Sequence, residues 1–267
     1  KTPATLAMAR ILEQLGARPA IISRGYGGTL AGPVAVDPTC HDAGAVGDEP
    51  LMMAQTMPVI IARHRPDGAG LAAMTGATIA LLDDGLQNPS LAKDVSIAVI
   101  DGAVGIGNGF CLPAGPLRAP VAAQWPYVDA VLIIGGGEPG LAVAKAGRRA
   151  EKPVFTGALV PDAMTAASLA GQRVLALAGI GRPQKFADTL ASLGADVVAT
   201  AFFADHHPFS FQNLSEVAAR AEATGARVVT TQKDAARMGA SWDGARLGVL
   251  TILPVTLELD DEAGFTQ

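Results

Sequence analysis

Cysteine, aromatic residues and long apolar runs are all scarce in this sequence. Two cysteines occur, Cys40 and Cys111, far apart and outside any Cys-x-x-Cys pair. That argues against a disulfide framework and a cysteine-built zinc site, and it fits a reduced compartment. Aromatics make up 4% of the chain against 31 glycines, a mix that suits close-packed α/β layers better than an all-β sandwich. No run reaches the roughly 18 apolar residues that a membrane-spanning helix needs. Positive charge is also scarce: 20 Lys and Arg face 25 Asp and Glu, a net charge of −5, with no dense basic run. Such a chain has no general attraction to nucleic acid, so none is expected as a partner. An anionic ligand has to be held by a local site.

Hydrophobic residues make up 49% of the 267-residue chain, enough for a sizeable core, and they alternate in blocks. Residues 2–16 read as a helix, with Pro3 in the first turn and Leu6, Ile11, Leu12 and Leu15 toward one side. A short apolar strand at 20–22 runs into the glycine-rich Ser23-Arg24-Gly25-Tyr26-Gly27-Gly28. Strands are expected at 34–36, 59–61, 78–82, 95–100 and 130–134, with helices at 48–57 and 66–76. Continuously apolar strands alternating with helices indicate a parallel α/β sheet. A second series follows, with strands at 173–178, 197–201 and 228–231 and helices at 184–194 and 213–224. The expected organisation is a first α/β domain at 1–152, connecting strands at 153–168 and 247–260, and a smaller α/β domain at 169–246. The last strand is expected to return to the connector.

Six short motifs carry chemistry, and each has an ordinary structural alternative. Lys1-Thr2 directly before a helix is how a Walker A phosphate loop ends, with Lys reaching the outer phosphates and the hydroxyl binding Mg2+; any chain start can show the same pair. Residues 78–84 form an apolar strand ending in Asp83-Asp84, the Walker B arrangement for a metal, or simply an Asp-Gly turn. Asp48 in Gly47-Asp48-Glu49-Pro50 fits a general base and equally a helix cap. Asp205-His206-His207-Pro208 pairs a carboxylate with an imidazole that it can tune, or is an exposed turn. Residues 110–120 form a proline-stiffened loop whose one charge is Arg118, suited to phosphate recognition; the alternative is a structural crossover with a solvent-facing Arg. Thr230-Thr231-Gln232-Lys233-Asp234 places polar groups at a strand's carboxyl end, where α/β proteins bind ligands, and Thr231 also suits a plain helix cap.

Taken in order, Lys-Thr-Pro, Ser-Arg-Gly-Tyr-Gly, Gly-Asp-Glu-Pro, Asp-Asp-Gly-Leu-Gln, Leu-Pro-Ala-Gly-Pro-Leu-Arg, Ala-Gly-Ile-Gly-Arg-Pro, Asp-His-His and Thr-Thr-Gln-Lys-Asp resemble the tetraacyldisaccharide 4′-kinase family from residue 1 to about 255. The resemblance implies two α/β/α domains, a P-loop core and a smaller partner, joined by a two-stranded linker. It implies transfer of the γ-phosphate of ATP, with Mg2+, to the 4′-hydroxyl of a lipid A disaccharide precursor at the cytoplasmic face of the bacterial inner membrane. By position, Lys1 and Thr2 end the phosphate loop, and Thr2, Asp83 and Asp84 serve the metal. Asp48 resembles the family's base and His206 its cooperating partner from the opposite domain, with Asp205 tuning His206. Arg24, Tyr26, Gln87 and Arg118 are expected to line the phosphate and acceptor region, and Gln232 to lie near the nucleotide. Two positions depart from the pattern: Ala119 stands where the family usually has Glu, and Gln232 where it has Glu. Other P-loop kinases, a metal-chaperone GTPase or a non-catalytic nucleotide-binding module are the competing readings; the arginine loop and Asp-His-His have no explanation under them.

The chain opens at Lys1 without the strand and glycines that precede this lysine in the family, nor the segment through which the family touches the membrane. The expectation is that residues 1–267 alone are aggregation-prone and inactive, because the missing strand would leave sheet edges unpaired. Robust ATP turnover by this chain by itself would refute that.

Overall fold

Short apolar runs of five or so residues, each followed by a polar or glycine-containing turn, set the rhythm of the fold. The computed structural model describes residues 1–266. In chain order the first half contains α1 (Thr2–Gln14), β1 (Pro19–Ser23), β2 (Val34–Ala35), α2 (Ala43–Val46), α3 (Asp48–Met53), β3 (Val59–Ile61), α4 (Arg65–Met74), β4 (Ile79–Leu82), β5 (Ile97–Asp101), α5 (Val121–Gln124) and β6 (Ala130–Ile134). Then come α6 (Glu138–Arg149), β7 (Val154–Pro161), α7 (Ala163–Leu169), β8 (Arg173–Ala178), α8 (Pro183–Ser192), β9 (Asp196–Phe202), α9 (Phe211–Ala223), β10 (Arg227–Thr231), α10 (Gln232–Met238), α11 (Gly244–Leu247), β11 (Leu250–Leu253), β12 (Val255–Leu259) and α12 (Glu262–Phe265). The strands form three four-stranded sheets, ordered β2-β3-β1-β4, β11-β10-β8-β9 and β12-β7-β6-β5.

Two compact units divide these elements. The first comprises Lys1–Arg18, Leu81–Val160 and the segment from Thr256 onward. Its sheet runs parallel through β5, β6 and β7, and the last strand, β12, returns to lie beside β7. All five residues of β6 are buried, and the two-residue period sends them to opposite faces. Leu132 and Ile134 pack with Ala4 and Ala7 of α1, while Val131 and Ile133 pack with Val143 and Ala144 of α6. That is an α/β/α sandwich, as expected. The sequence reading did not anticipate α6. Its glycines lower helix propensity, yet Gly140 is needed: a Cβ there would come within 2.7 Å of the Gly102 Cα.

The second unit comprises Pro19–Ala80 and Pro161–Val255. The 19–80 segment thus joins the later α/β series, whereas the sequence pattern grouped it with residues 81–152. Helix α3 packs against α10, which ties the two segments together. In the parallel sheet of β8, β9, β10 and β11, Val174, Ala176 and Ala178 face Phe186, Ala187 and Leu190 of α8. Leu175 and Leu177 face Leu214, Val217 and Ala221 of α9. The short sheet is mixed: β1 pairs with β3 in parallel and β2 with β3 antiparallel.

Leu177 has no exposed surface. Leu177→Ala is expected to lower unfolding free energy by about 2–5 kcal/mol, lost apolar burial plus a residual cavity. Denaturant unfolding checks this; a loss well under 1 kcal/mol would contradict the close packing of this layer.

Candidate active site

In the first unit, Lys1 is the N-cap of α1 and Thr2 its first residue, buried. The Lys1 Nζ lies 2.8 Å from Asp84 Oδ1, and Arg118 Nη2 lies 3.2 Å from Asp84 Oδ2. Burial pushes the Asp84 carboxyl up, but the bonds and charges of Lys1 and Arg118 outweigh it and hold the group below its ordinary range. These side chains are substantially exposed, so the pairs are weak and exchangeable. Asp84 has a left-handed backbone, φ 53°, in the turn after β4. Asp83 is buried and accepts a hydrogen bond from Thr5 Oγ1 at 3.4 Å. Arg118 is presented by a closed loop in which Leu112 N donates to Leu117 O at 2.9 Å and Asn108 Nδ2 to Ala114 O at 2.8 Å. Gln87 Nε2 donates to Gln124 Oε1 at 2.9 Å.

A hydroxyl and two carboxylates, Thr2, Asp83 and Asp84, are hard oxygen donors. Such a set fits Mg2+, which takes one or two carboxylates and keeps its remaining positions for water and phosphate oxygens. Among the described residues no group of three or more His, Cys, Asp and Glu forms a self-sufficient metal cage.

The second unit holds a denser cluster. Gly47, with φ 93°, turns the chain directly into α3, so Asp48 occupies the first helical position and is 5% exposed. Asp48 Oδ1 accepts from Glu49 N at 2.8 Å. Asp48 Oδ2 accepts from Arg237 Nη2 at 2.7 Å and Nε at 3.0 Å, and lies 3.1 Å from His206 Nδ1. Burial alone would raise this carboxyl; the Arg237 hydrogen bonds, with the charges of Lys233 and Arg237, override it and hold Asp48 below the ordinary carboxylate range. The Lys233 ammonium lies 3.2 Å from Glu49 Oε1, 3.4 Å from Asp205 Oδ1 and 3.5 Å from His206 Nε2. An ionised carboxylate only accepts, so in the 3.1 Å contact the His206 Nδ1 proton points at Asp48.

The geometry therefore brings Asp48, His206 and Asp205 together, in one compact unit rather than on opposite domains. The carboxylate within hydrogen-bond reach of the His206 ring is that of Asp48. Asp205 bonds the His206 backbone N at 3.1 Å, and its Oδ1 stands 3.9 Å from Nε2. Tyr26 meets the His206 ring edge-on, centroids 5.3 Å apart, and exposed Arg24 lies in the same loop. Gln232 has a structural job: its Oε1 accepts from Val255 N at 3.2 Å. Arg237 was given no role from sequence, and Glu49, Lys233 and Asp234 stood inside motifs without a role of their own. One signal was there, since Asp234 and Arg237 are three apart on one helix, where opposite charges meet.

Comparison with known proteins gives one answer. The sequence pattern of the family described as "Tetraacyldisaccharide-1-P 4'-kinase" matches residues 1–267. A tetraacyldisaccharide 4′-kinase of Methylorubrum extorquens (strain PA1) is 52% identical over 267 residues, 100% of this chain and 80% of that relative. One from Bradyrhizobium sp. (strain BTAi1) is 53% identical over 262 residues, 98% of this chain and 76% of the relative. Among solved structures, the "apo" form of LpxK from Aquifex aeolicus, in complex with ATP, superposes with a TM-score of 0.73 at 23% identity, covering 99% of this chain and 81% of that one; this is a likeness of fold.

The entry into α3 rests on Gly47, where a Cβ would stand 2.6 Å from the Tyr26 carbonyl oxygen at a φ of 93°. Gly47→Ala is expected to cost at least about 1–3 kcal/mol of stability through backbone strain and to displace Asp48. Thermal unfolding checks the first effect and loss of phosphoryl transfer the second. An alanine variant with native stability and activity would contradict both.

Proposed function

The chain belongs to the tetraacyldisaccharide-1-P 4′-kinase family, and from that premise we propose that its two residue clusters divide the reaction, one serving ATP and the other the acceptor hydroxyl. The reaction is ATP-dependent phosphorylation of the 4′-hydroxyl of a lipid A disaccharide precursor. The hydroxyl oxygen forms the new bond to the γ-phosphorus, the bond to the bridging oxygen breaks, ADP leaves and one proton must be accepted. In such transfers the protein mainly positions groups and stabilises charge on the phosphoryl oxygens.

Lys1 and Arg118 are the cations for the phosphates. Their exposed, exchangeable pairing with Asp84 supports this, because it keeps both charges extended until an anion competes for them. Mg2+, when bound, neutralises charge on the transferring phosphates, and Thr2, Asp83 and Asp84 are the residues that would hold it. Arg24, Tyr26 and Gln87 are assigned to the acceptor.

Asp48 and His206 take the hydroxyl proton as a pair, with Asp205 and Lys233 balancing charge around them. The observation that carries this is the 3.1 Å approach of His206 Nδ1 to a buried Asp48. A carboxylate held below its ordinary range is a weak base, and a weak base suffices where the proton leaves late. The acceptor is a lipid, so we place the enzyme peripherally on the cytoplasmic face of the bacterial inner membrane. No helix among the described residues is long and apolar enough to cross a membrane.

The test is γ-phosphate transfer from ATP to a lipid A disaccharide acceptor in detergent, using the full-length protein with Asp48→Asn and His206→Asn. Asn at 206 tolerates the left-handed backbone there, φ 60°. Each variant is expected to lose about 10²–10⁴-fold in kcat with ATP affinity retained. Undiminished transfer in both would overturn the pairing.

A further inference from the structure

Arg237 sits on α10, outside every motif that pointed to the chemistry, and its side chain is 7% exposed. Its guanidinium joins two carboxylates. On one side Nε and Nη2 converge on a single oxygen, Asp48 Oδ2, at 3.0 and 2.7 Å. On the other, Nη1 donates to Asp234 Oδ1 at 3.0 Å and to the Gly179 carbonyl at 2.9 Å. Asp234 is itself fully buried and immobilised, its Oδ2 accepting from Gly179 N at 3.1 Å and Thr231 Oγ1 at 2.8 Å. Phe209 covers the guanidinium, 5.7 Å from the ring centroid. Gly179 leaves room for this, since a Cβ there would come within 3.0 Å of Arg237 Nη1.

A buried ion set of this kind is weak evidence for stability, because desolvation offsets most of the Coulombic gain and apolar substitutes often do as well. Its aim is the informative feature. An Arg facing a carboxylate usually spreads two bonds over both oxygens. Here both fall on Oδ2, the oxygen that also faces His206 Nδ1, while Oδ1 is occupied by Glu49 N–H. The carboxylate can then neither rotate nor take a further donor at Oδ2, and its contact with the ring is fixed in direction.

We propose that Arg237, anchored on Asp234, is a positioning residue for the phosphoryl transfer: it fixes the Asp48 carboxylate so that Oδ2 faces Nδ1 of His206. The inference rests on the Asp48–His206 pairing proposed above. The charged and titratable groups facing Asp48 are Arg237 and Lys233 from α10 and His206 from the loop after β9, with Glu49 adjacent on α3 and Asp234 behind the guanidinium. Arg237 supplies the largest opposition to the effect of burial on Asp48. Loss of Arg237 therefore lets that carboxyl rise, and the acid limb of kcat, below which Asp48 is protonated, moves to higher pH.

The test compares kcat, KM for ATP and the pH profile of kcat for full-length wild type, Arg237→Met, Arg237→Lys and Asp234→Asn. Arg237→Met is expected to lower kcat about 10–100-fold, leave KM for ATP within about 2-fold, and shift the acid limb upward by more than half a pH unit, as expected when a charge partner is removed. Arg237→Lys keeps the charge without the fork, and should recover part of the shift but little of the rate. Asp234→Asn loosens the anchor and should move both readouts the same way by less; it carries the test if Arg237→Met fails to fold. A wild-type pH profile in folded Arg237 or Asp234 variants overturns the proposal, even where thermal stability falls. If those profiles are unchanged while Asp48→Asn and His206→Asn abolish transfer, only the role of Arg237 fails; if Asp48→Asn stays active, the pairing fails and this proposal with it.

Discussion

Oδ2 of Asp48 is where three remote parts of the second unit meet. His206 reaches it across 158 residues of sequence and Arg237 across 189. An oxygen offers about two lone pairs, so three donors pressed on one atom compete and leave none for water. Burying this carboxylate would cost several kcal/mol if it were unpaired. The packing of α3 against α10 is therefore tolerable only because Arg237 comes with it, and the glycines at 47 and 179 are there because the backbone and guanidinium need the space.

The same constraint orders the site outward. With Asp48 fixed, His206 receives its orientation from Nδ1 and turns Nε2 toward Lys233 and the solvent side. The His206 side chain is 36% exposed and that of Asp48 6%, so the imidazole is the accessible member of the pair. The backbone of His206 lies in the left-handed region, a conformation that costs free energy for a non-glycine residue and persists where its surroundings over-determine it. Here Asp205, Asp48, Lys233 and Tyr26 supply those surroundings. The ion pairs of the first unit follow the opposite logic: Lys1 and Arg118 make exposed, exchangeable pairs with Asp84.

Much of this was legible from residue order. The α/β class follows from alternating apolar strands and helices, and Asp48, His206, Asp83 and Asp84 stand in motifs whose order is specific to the family. The boundaries of the compact units were not legible, because residues 19–80 read as a continuation of the same α/β rhythm while their partners lie beyond residue 161. Helix α6 was hidden by its glycines, which serve close approach rather than helix formation. Arg237 was missed because its importance lies in a contact 189 residues away, and only its i−3 partner Asp234 was visible along the helix. Gln232 reads as a departure near the nucleotide; the contact of its Oε1 with Val255 N at the start of β12 was not legible along the chain.

The orientation of His206 rests on its Nδ1 proton being given to Asp48. Nitrogen-15 NMR of selectively labelled full-length protein at neutral pH measures this directly, through the chemical shifts and proton couplings of the two ring nitrogens. A proton on Nδ1, coupled to that nitrogen, is expected. A His206 ring with its proton on Nε2 and a bare Nδ1 facing Asp48 would contradict it.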